Sequence, residues 1–329
     1  MWATANANLA LVKYWGKSNV PGNQAANASL SVTLEGLISL AAVRERRDAD
    51  IDRAAWSPPG PVEDLTRFVG QARTALGIRH PLDVAVTSNF PVGAGLASSA
   101  SAYAALATAL AAAAGRPDAD LSALVRSGSG SACRSLLAGF VEWQPGAGKG
   151  DVTQVAPPAH WPLCVIVAVT REQPKRISSR EGMRRTAVTS PFYDAWLAAN
   201  PEDMRAAREA VRHRNLDSLG PVMEHNAMRM HATALGADPP LLYWEPATLA
   251  VVHAVWRLRE SGTPAYFSID AGPQVKVLCE PTHADEVAET LGEVPGVSRL
   301  IRSRPGQAPR VVTHPPSWAQ LPPTWRDWQ

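Results

Sequence analysis

A loop of proline, glycine and serine runs straight into an alanine-rich helix at Asn89-Phe-Pro-Val-Gly-Ala-Gly-Leu-Ala-Ser-Ser-Ala-Ser101, and this is the make-up of an anion cradle. Gly93 and Gly95 admit positive φ, while Ser98, Ser99 and Ser101 place hydroxyls where the helix begins. The N–H groups of a first helical turn add the positive end of the helix dipole. No lysine stands where GxxxxGK[ST] would need one, so this is not a Walker A loop. A capped helix without a ligand would share much of this composition, and the case rests on what other segments add.

Four segments add charge and small residues. Lys13 and Lys17 flank Tyr14-Trp15-Gly16, so that both ammoniums can reach one anion at a strand end. Ser127-Gly-Ser-Gly-Ser-Ala-Cys-Arg134 offers hydroxyls, backbone donors and a guanidinium fork suited to carboxylate or phosphate. Between Arg171 and Arg185 six basic residues stand against two acidic ones, and Ser178-Ser179-Arg180 there has the form of an anion-binding helix start. Phe267-Ser-Ile-Asp-Ala-Gly-Pro273 sets Asp270 at a strand end on a turn with little side-chain bulk, where a carboxylate can take or orient a substrate hydroxyl proton. Taken singly, solvated lysines, a flexible linker, a charged helix face and an Asx turn would explain them. Together they point to transfer of a phosphoryl group onto a small anionic substrate, chemistry made mostly of positioning and charge neutralisation. Histidine adds little: His225 and His231 lie about 120° apart on a helix, too far round to share a metal. Met228, His231 and Leu235 fall on one face that reads as packing.

The elements that must position these groups follow from periodicity. Leu9–Tyr14, Ser29–Leu34 and Leu37–Arg44 read as strands, with a turn-rich loop from Ser18 to Asn23 between the first two. Pro61–Leu76 is an amphipathic helix, Val84–Ser88 a strand feeding the cradle, and Asp120–Val125 a short helix before the second glycine-serine loop. Glycine at 145–149 and proline at 157–162 mark a boundary, after which Leu163–Val169 reads as a strand buried on both faces. Helices are expected at Pro191–Ala199, Pro201–Arg212, Leu216–Ala234, Pro246–Ser261 and His283–Leu291. Strands are expected at Ala265–Ile269, Val275–Cys279 and Val297–Arg302. The order lacks the steady rhythm of a doubly wound sheet, so the fold class is α+β, in two-layer domains at 1–160 and 161–304. A Pro/Trp-rich tail at 305–329 is expected to lie on the surface or fray.

With 329 residues, 46% of them hydrophobic, the chain can bury a sizeable core. A net charge of +2 gives no bulk attraction for nucleic acid or anionic membrane, and the basic run lacks the interleaved aromatics of a nucleic-acid module. Cys133, Cys164 and Cys279 form no CxxC pair and read as reduced thiols. The N-terminus lacks the pattern of a signal peptide and no segment reaches the length of a membrane span, so a cytoplasmic protein is expected.

Six segments in order now carry a resemblance: Asn8-Leu-Ala-Leu-Val-Lys-Tyr-Trp-Gly-Lys17, Ser29-Leu-Ser-Val-Thr-Leu34, Asn89–Ser99, Gly128–Ser135, Ser178–Met183 and Ile269–Pro273. They are similar to the motifs of the diphosphomevalonate decarboxylase family of the GHMP kinase superfamily, and the likeness runs from Ala5 to Arg302. The resemblance implies a GHMP kinase-like two-domain fold, each domain an α/β two-layer sandwich, with the active site in the cleft between them. It implies ATP and Mg²⁺ as cofactors, a homodimer, and a place in the mevalonate pathway. The reaction implied is phosphorylation of the C3 hydroxyl of mevalonate 5-diphosphate, then loss of phosphate and CO₂ to give isopentenyl diphosphate.

Carried over by residue, Pro91, Gly93, Gly95, Leu96, Ala97, Ser98, Ser99 and Ser101 would hold ATP, with Ser99 at Mg²⁺. Tyr14, Lys17, Ser129, Gly130, Ser131, Ser179 and Arg180 would grip the substrate diphosphate. Arg134, supported by Asn8, would hold the C1 carboxylate, and Asp270 would orient or deprotonate the C3 hydroxyl with Lys13 close by. Lys13, Ser99, Arg134 and Asp270 form the implied catalytic set. The chain departs from the family pattern at Ser18-Asn19, where an acidic residue is common, at Ala25 in place of proline, and over Arg53–Pro61, where relatives carry a hairpin. A relative that acts on mevalonate 5-phosphate or mevalonate, or that phosphorylates C3 without decarboxylation, is the alternative. Lys17, Ser129, Ser131 and Arg180 favour a substrate with a dense anionic end.

Overall fold

Small side chains decide the first layer of the computed structural model, which describes residues 1–18, 23–48, 50–58, 62–92, 95–146 and 150–321. Helix α2 (Ser98–Ala113) buries most of its alanines, so its backbone lies close on strands β1 (Trp2–Val12) and β2 (Ser29–Glu45), which offer Ala3, Ala5, Ala41 and Ala42 in return. Helix α1 (Val62–Leu76) joins the same core through Leu65, Phe68, Val69, Ala72 and Leu76, the apolar stripe expected from its spacing.

The sheet beneath has seven strands among the described residues. Its path runs β11 (Arg310–Val312), β1, β2, β4 (Leu82–Ser88), β3 (Arg53–Ser57), with β5 (Phe140–Trp143) on β2 and β6 (Val152–Ala156) on β5. Strand β2 is one element where two were expected. Register with β1 jumps from Asn6↔Ile38 to Ala7↔Leu34, so residues 35–37 bulge out without ending the strand, and Gly36 takes φ +87°. Beyond the bulge β2 changes partner, pairing β5 through Ser29–Val32 and β4 through Ser39–Glu45. Strand β3 falls in the short, proline-rich segment read from the sequence as a departure from the family; Arg53 there makes a bidentate pair with the buried carboxylate of Asp83 on β4.

The second sheet is four-stranded and antiparallel in the order β10 (Arg299–Ser303), β7 (Cys164–Val169), β9 (Val275–Cys279), β8 (Ala265–Ile269). Helices α7 (Pro246–Glu260) and α8 (Ala284–Gly292) share one core with it. Helices α5 (Tyr193–His213) and α6 (Leu216–Leu235) join a second core that also contains Leu9, Leu11, Leu30 and Val32 of the first sheet, so the two sheets are bound through a continuous apolar layer. Helix α5 runs through Pro201, although the sequence suggested two helices parted there. Asn200 explains the continuity: buried, it accepts from the Ala28 N–H at 3.1 Å and donates to the Ala28 carbonyl at 2.9 Å, anchoring the turn that the proline weakens.

Helix α3 (Ser122–Gly128) starts and ends a few residues later than expected, and α4 (Ser179–Thr189) starts at the predicted serine pair. The segment from Pro305 does not fray throughout: Gly306 N–H donates to the Thr33 carbonyl at 2.7 Å and β11 pairs with the outer edge of β1. The tail at 322–329, Gly93, Asn19 and the expected helix start at Pro61 lie outside the described residues. Cys164 and Cys279, distant in sequence, are opposite each other across β7 and β9 as free thiols. Leu235 is exposed, unlike His231 on the face expected to be packed. Among the described residues no helix is long and apolar enough to cross a membrane.

Gly220 of α6 lies flat against the ring of Tyr266 on β8, where any Cβ would run into ring carbons. Gly220→Ala should lower stability by about 1–3 kcal/mol. In urea the midpoint falls with the slope unchanged; an unshifted midpoint would show that this helix and strand can part without cost.

Candidate active site

At the end of β1 the backbone of Lys13 is clamped on both sides. Its N–H donates to Asn226 Oδ1 on α6 at 2.7 Å, and its carbonyl accepts from Asn27 Nδ2 at 2.6 Å. The side chain is buried, and Nζ donates to the Ala10 carbonyl at 2.9 Å, Ser268 Oγ at 2.6 Å and Asp270 Oδ1 at 2.8 Å, which uses all three protons. Asp270 follows directly on β8. Its other oxygen, Oδ2, accepts from Lys276 Nζ of β9 at 2.9 Å. Burial alone would raise the Asp270 carboxyl, but the ammoniums of Lys13 and Lys276 outweigh it and hold the group ionised, far below the usual carboxylate range. Burial pulls Lys13 down to about 8 against the opposing pull of Asp270. Lys175 is likewise lowered to about 8 by burial, and its Nζ donates to Ser179 Oγ at 2.6 Å and the Ala271 carbonyl at 2.5 Å.

This cluster borders a cavity of about 360 Å³ between the two sheets. The cavity also borders the start of α2, which has no side-chain cap among the described residues; Ala97 before it takes φ +55°. Gly95 has φ +85°, and a Cβ on it would lie 2.7 Å from Gly272 Cα, so the loop backbone is pressed against the turn after Asp270. Ser99 Oγ is 3.2 Å from Ser129 Oγ, itself 3.3 Å from Ser131 Oγ, giving a row of hydroxyls along one wall. Tyr14 Oη is buried with no partner among the described residues, and burial holds the phenol protonated, as a donor. Arg180 Nη2 donates to the Gly128 carbonyl at 3.3 Å, and its Nη1 is 3.8 Å from Asp64. Lys17 is half-buried, and burial followed by the neighbouring Arg180 lowers its pKa.

Arg134 forms the far wall. It is buried, donates through Nη1 to Ser29 Oγ at 2.8 Å and through Nη2 to Asn8 Oδ1 at 3.2 Å, and makes no ion pair among the described residues. Its Nε has no partner among them either. Asn8 is held in turn by donating to Ser135 Oγ at 2.7 Å. A buried guanidinium with a free donor and an unpartnered phenol are the orphaned groups that an anionic ligand would satisfy.

Of the residues singled out from sequence, the cavity wall contains Asn8, Lys13, Tyr14, Lys17, Gly95, Ala97, Ser98, Ser99, Ser129, Gly130, Ser131, Arg134, Ser179, Arg180 and Asp270. Three do not line it. Ser101 is turned to the sheet, its Oγ 2.7 Å from Ser39 Oγ, since a first-turn serine can face a strand as readily as a ligand. Leu96 is buried in the core between the sheets, and Pro91 lies outside the wall. Gly93 is outside the described residues. Sequence reasoning gave no site role to Lys175, Lys276, Ser268, Asp64 or Asn226. Lys276 carried a signal, a lone charge inside the apolar strand Val275–Cys279. His231, with Nε2 3.3 Å from the Ile269 carbonyl, is driven by burial to about 3 and stays neutral beneath the site.

Comparison with known proteins places this arrangement. Residues 5–154 match the diphosphomevalonate decarboxylase-like N-terminal domain, and residues 165–312 match the mevalonate 5-diphosphate decarboxylase C-terminal domain. The diphosphomevalonate decarboxylase of Bos taurus is 37% identical, over 88% of this chain and 78% of its own. The chain belongs to the diphosphomevalonate decarboxylase family. Mevalonate diphosphate decarboxylase from Staphylococcus aureus shares the fold at TM-score 0.87 and 34% identity, over 94% of this chain and 97% of that one. A solved complex of MDDEF with MVAPP, AMPPCP and magnesium superposes at TM-score 0.85 and 35% identity, with the same coverage. The two-sheet α+β architecture expected from the sequence is thus that of the decarboxylase family.

For this family member the ammoniums of Lys13 and Lys175 are charged below about pH 8 and neutral above it, because their pKa values are lowered and not raised. Anion binding should therefore weaken as pH rises. Sulfate, whose own charge is constant here, should bind about tenfold more weakly at pH 9.5 than at pH 7 by calorimetric titration; equal affinity would show that neither ammonium faces the anion.

Proposed function

We propose that this chain catalyses the ATP-dependent decarboxylation of mevalonate 5-diphosphate to isopentenyl diphosphate, with release of ADP, phosphate and CO₂. The observation that carries the reading is Asp270, fixed in the ionised state between Lys13 and Lys276 and set between a glycine-serine loop on one side and an unneutralised buried arginine on the other. Three anionic groups are then accommodated by three separate sets of donors. The Gly95–Ser99 segment and the α2 N-terminus receive the ATP phosphates. Tyr14, Lys17, Ser129, Gly130, Ser131, Ser179 and Arg180 receive the substrate diphosphate. Arg134, steadied by Asn8, receives the C1 carboxylate.

Asp270 accepts a hydrogen bond from the C3 hydroxyl and aligns its oxygen with the γ-phosphorus. A carboxylate held so far down is a weak base, so it takes the proton late, once the new O–P bond has made that proton acidic. The bond between the γ-phosphorus and the bridging oxygen breaks, and ADP leaves. Phosphate then departs from C3, and the electron pair of the C1–C2 bond forms the C2=C3 double bond as CO₂ is lost. Positive charge developing at C3 lies beside the Asp270 carboxylate, while Lys13 and Lys175 offset charge on the phosphate oxygens. Mg²⁺ fits a site with one hydroxyl and no acidic cluster among the described residues, since it keeps waters and takes most of its ligands from phosphates; Ser99 would hold it, and its charge would neutralise the triphosphate.

We read the enzyme as a cytoplasmic homodimer, on the support of its free thiols and its family resemblance. Residues 1–160 would form the nucleotide-side domain and 161–304 the second domain, with 305–329 as a tail that lends a strand to the first.

Coupled ADP release with Mg²⁺-ATP and, in parallel, mevalonate 5-diphosphate, mevalonate 5-phosphate and mevalonate tests the reading. ADP and isopentenyl diphosphate should appear together with the diphosphate alone; ADP without an alkene, or activity only with a less phosphorylated substrate, would move the assignment to a C3 kinase or monophosphate decarboxylase. Asp270→Asn should lower kcat by about 10³-fold or more while the affinity for a non-hydrolysable ATP analogue stays within a few-fold. Near-normal turnover would remove Asp270 from the mechanism.

A further inference from the structure

Lys276 lies outside the cavity wall, yet its ammonium touches two things that the reaction needs in register. Nζ donates to the Gly95 carbonyl at 2.5 Å and to Asp270 Oδ2 at 2.9 Å, and its side chain is 2% exposed. Gly95 belongs to the nucleotide-side loop that leads into α2; Asp270 follows a strand of the second sheet. We propose that Lys276 is a positioning residue that ties the nucleotide loop to Asp270, so that seating ATP and aligning the carboxylate are a single event. The proposal deepens the decarboxylase reading and rests on it.

Two features bear on this tether. The first is contact: the Gly95 backbone is so close to Gly272 that no side chain fits between them, and Gly272 N–H donates to the Asp270 carbonyl at 2.7 Å, so loop and turn share one surface. The second is the direction of the peptide. With the Gly95 carbonyl held by Lys276, the planar trans peptide turns the Leu96 N–H the opposite way, away from the lysine. Lys13 cannot substitute, because its three protons are already committed to Ala10, Ser268 and Asp270. Without Lys276 the carboxylate would keep one partner, its Oδ2 would be unpaired, and the Gly95 carbonyl would lose its donor at the same time.

Lys276→Met tests the tether, with Lys276→Arg as the variant that retains charge and two donors. In Lys276→Met the affinity for a non-hydrolysable ATP analogue with Mg²⁺ should fall about tenfold, and kcat should fall about 100-fold from misalignment. KM for mevalonate 5-diphosphate should stay within about twofold, because the diphosphate is held by other residues. The acid limb of the kcat/KM profile should move to higher pH as Asp270 loses one of its two ammoniums, and Lys276→Arg should restore part of each change. A lysine that acted only through its charge on Asp270 would shift the acid limb and leave the affinity for the ATP analogue unchanged. If Lys276→Met binds the ATP analogue like the wild type, the tether is overturned, whether or not the acid limb moves. Should Lys276→Met fail to fold, Lys276→Gln, which retains a donor without the charge, is measured in the same way. Analogue binding needs no turnover, so an inactive wild type would sink the decarboxylase reading while the tether is still decided by the binding comparison.

Discussion

A carboxylate and two ammoniums buried together form the constraint around which the molecule is arranged. Isolated in a protein interior, each would be costly; grouped, each charge is answered by another and most of their hydrogen bonds are satisfied. The three come from different places, Lys13 at the end of β1 in the first sheet, Asp270 after β8 and Lys276 within β9 of the second. The two sheets must therefore meet at this point. Helix α6 reinforces the meeting by sending Asn226 to the Lys13 backbone, and Asn226 is itself held by Asp203 at 2.7 Å.

The surroundings show why such a cluster belongs to a site and not to a core. An all-apolar replacement would bind the sheets as well or better, since buried ion pairs are weak sources of stability. What the polar cluster adds is fixed charge beside a cavity whose other walls are donors: among the described residues Arg134 has no carboxylate, Tyr14 no acceptor and the start of α2 no side-chain cap. Such a surface attracts anions, and separate cradles divide their charge among separate sets of donors.

Much of this was legible in the sequence because the chemistry is carried by short, ordered motifs. Loops of glycine and serine, a strand-end aspartate and paired lysines are local patterns, and the cavity collects them from both sheets. What was not legible depends on distant partners. Whether Ser101 faces ligand or sheet is decided by Ser39, more than sixty residues away in sequence by the 62-residue separation of that bond. The continuity of α5 past Pro201 is decided by Ala28, and the unity of β2 by a bulge that only its pairing with β1 reveals. Lys276 looked like an ordinary interruption of a strand until Gly95 and Asp270 were brought to it.

The return of the chain to its own beginning carries a last consequence. Strand β11 covers the outer edge of β1 at Trp2–Thr4 only after every strand of the second sheet has been made, because it follows β10 in sequence. During synthesis the first sheet can assemble from β1 to β6 while this stretch of its rim stays open, its backbone donors and acceptors unmatched, until β11 has emerged. The nascent first sheet thus carries a short adhesive edge until the strands of the second have been made, and β11 acts as its seal.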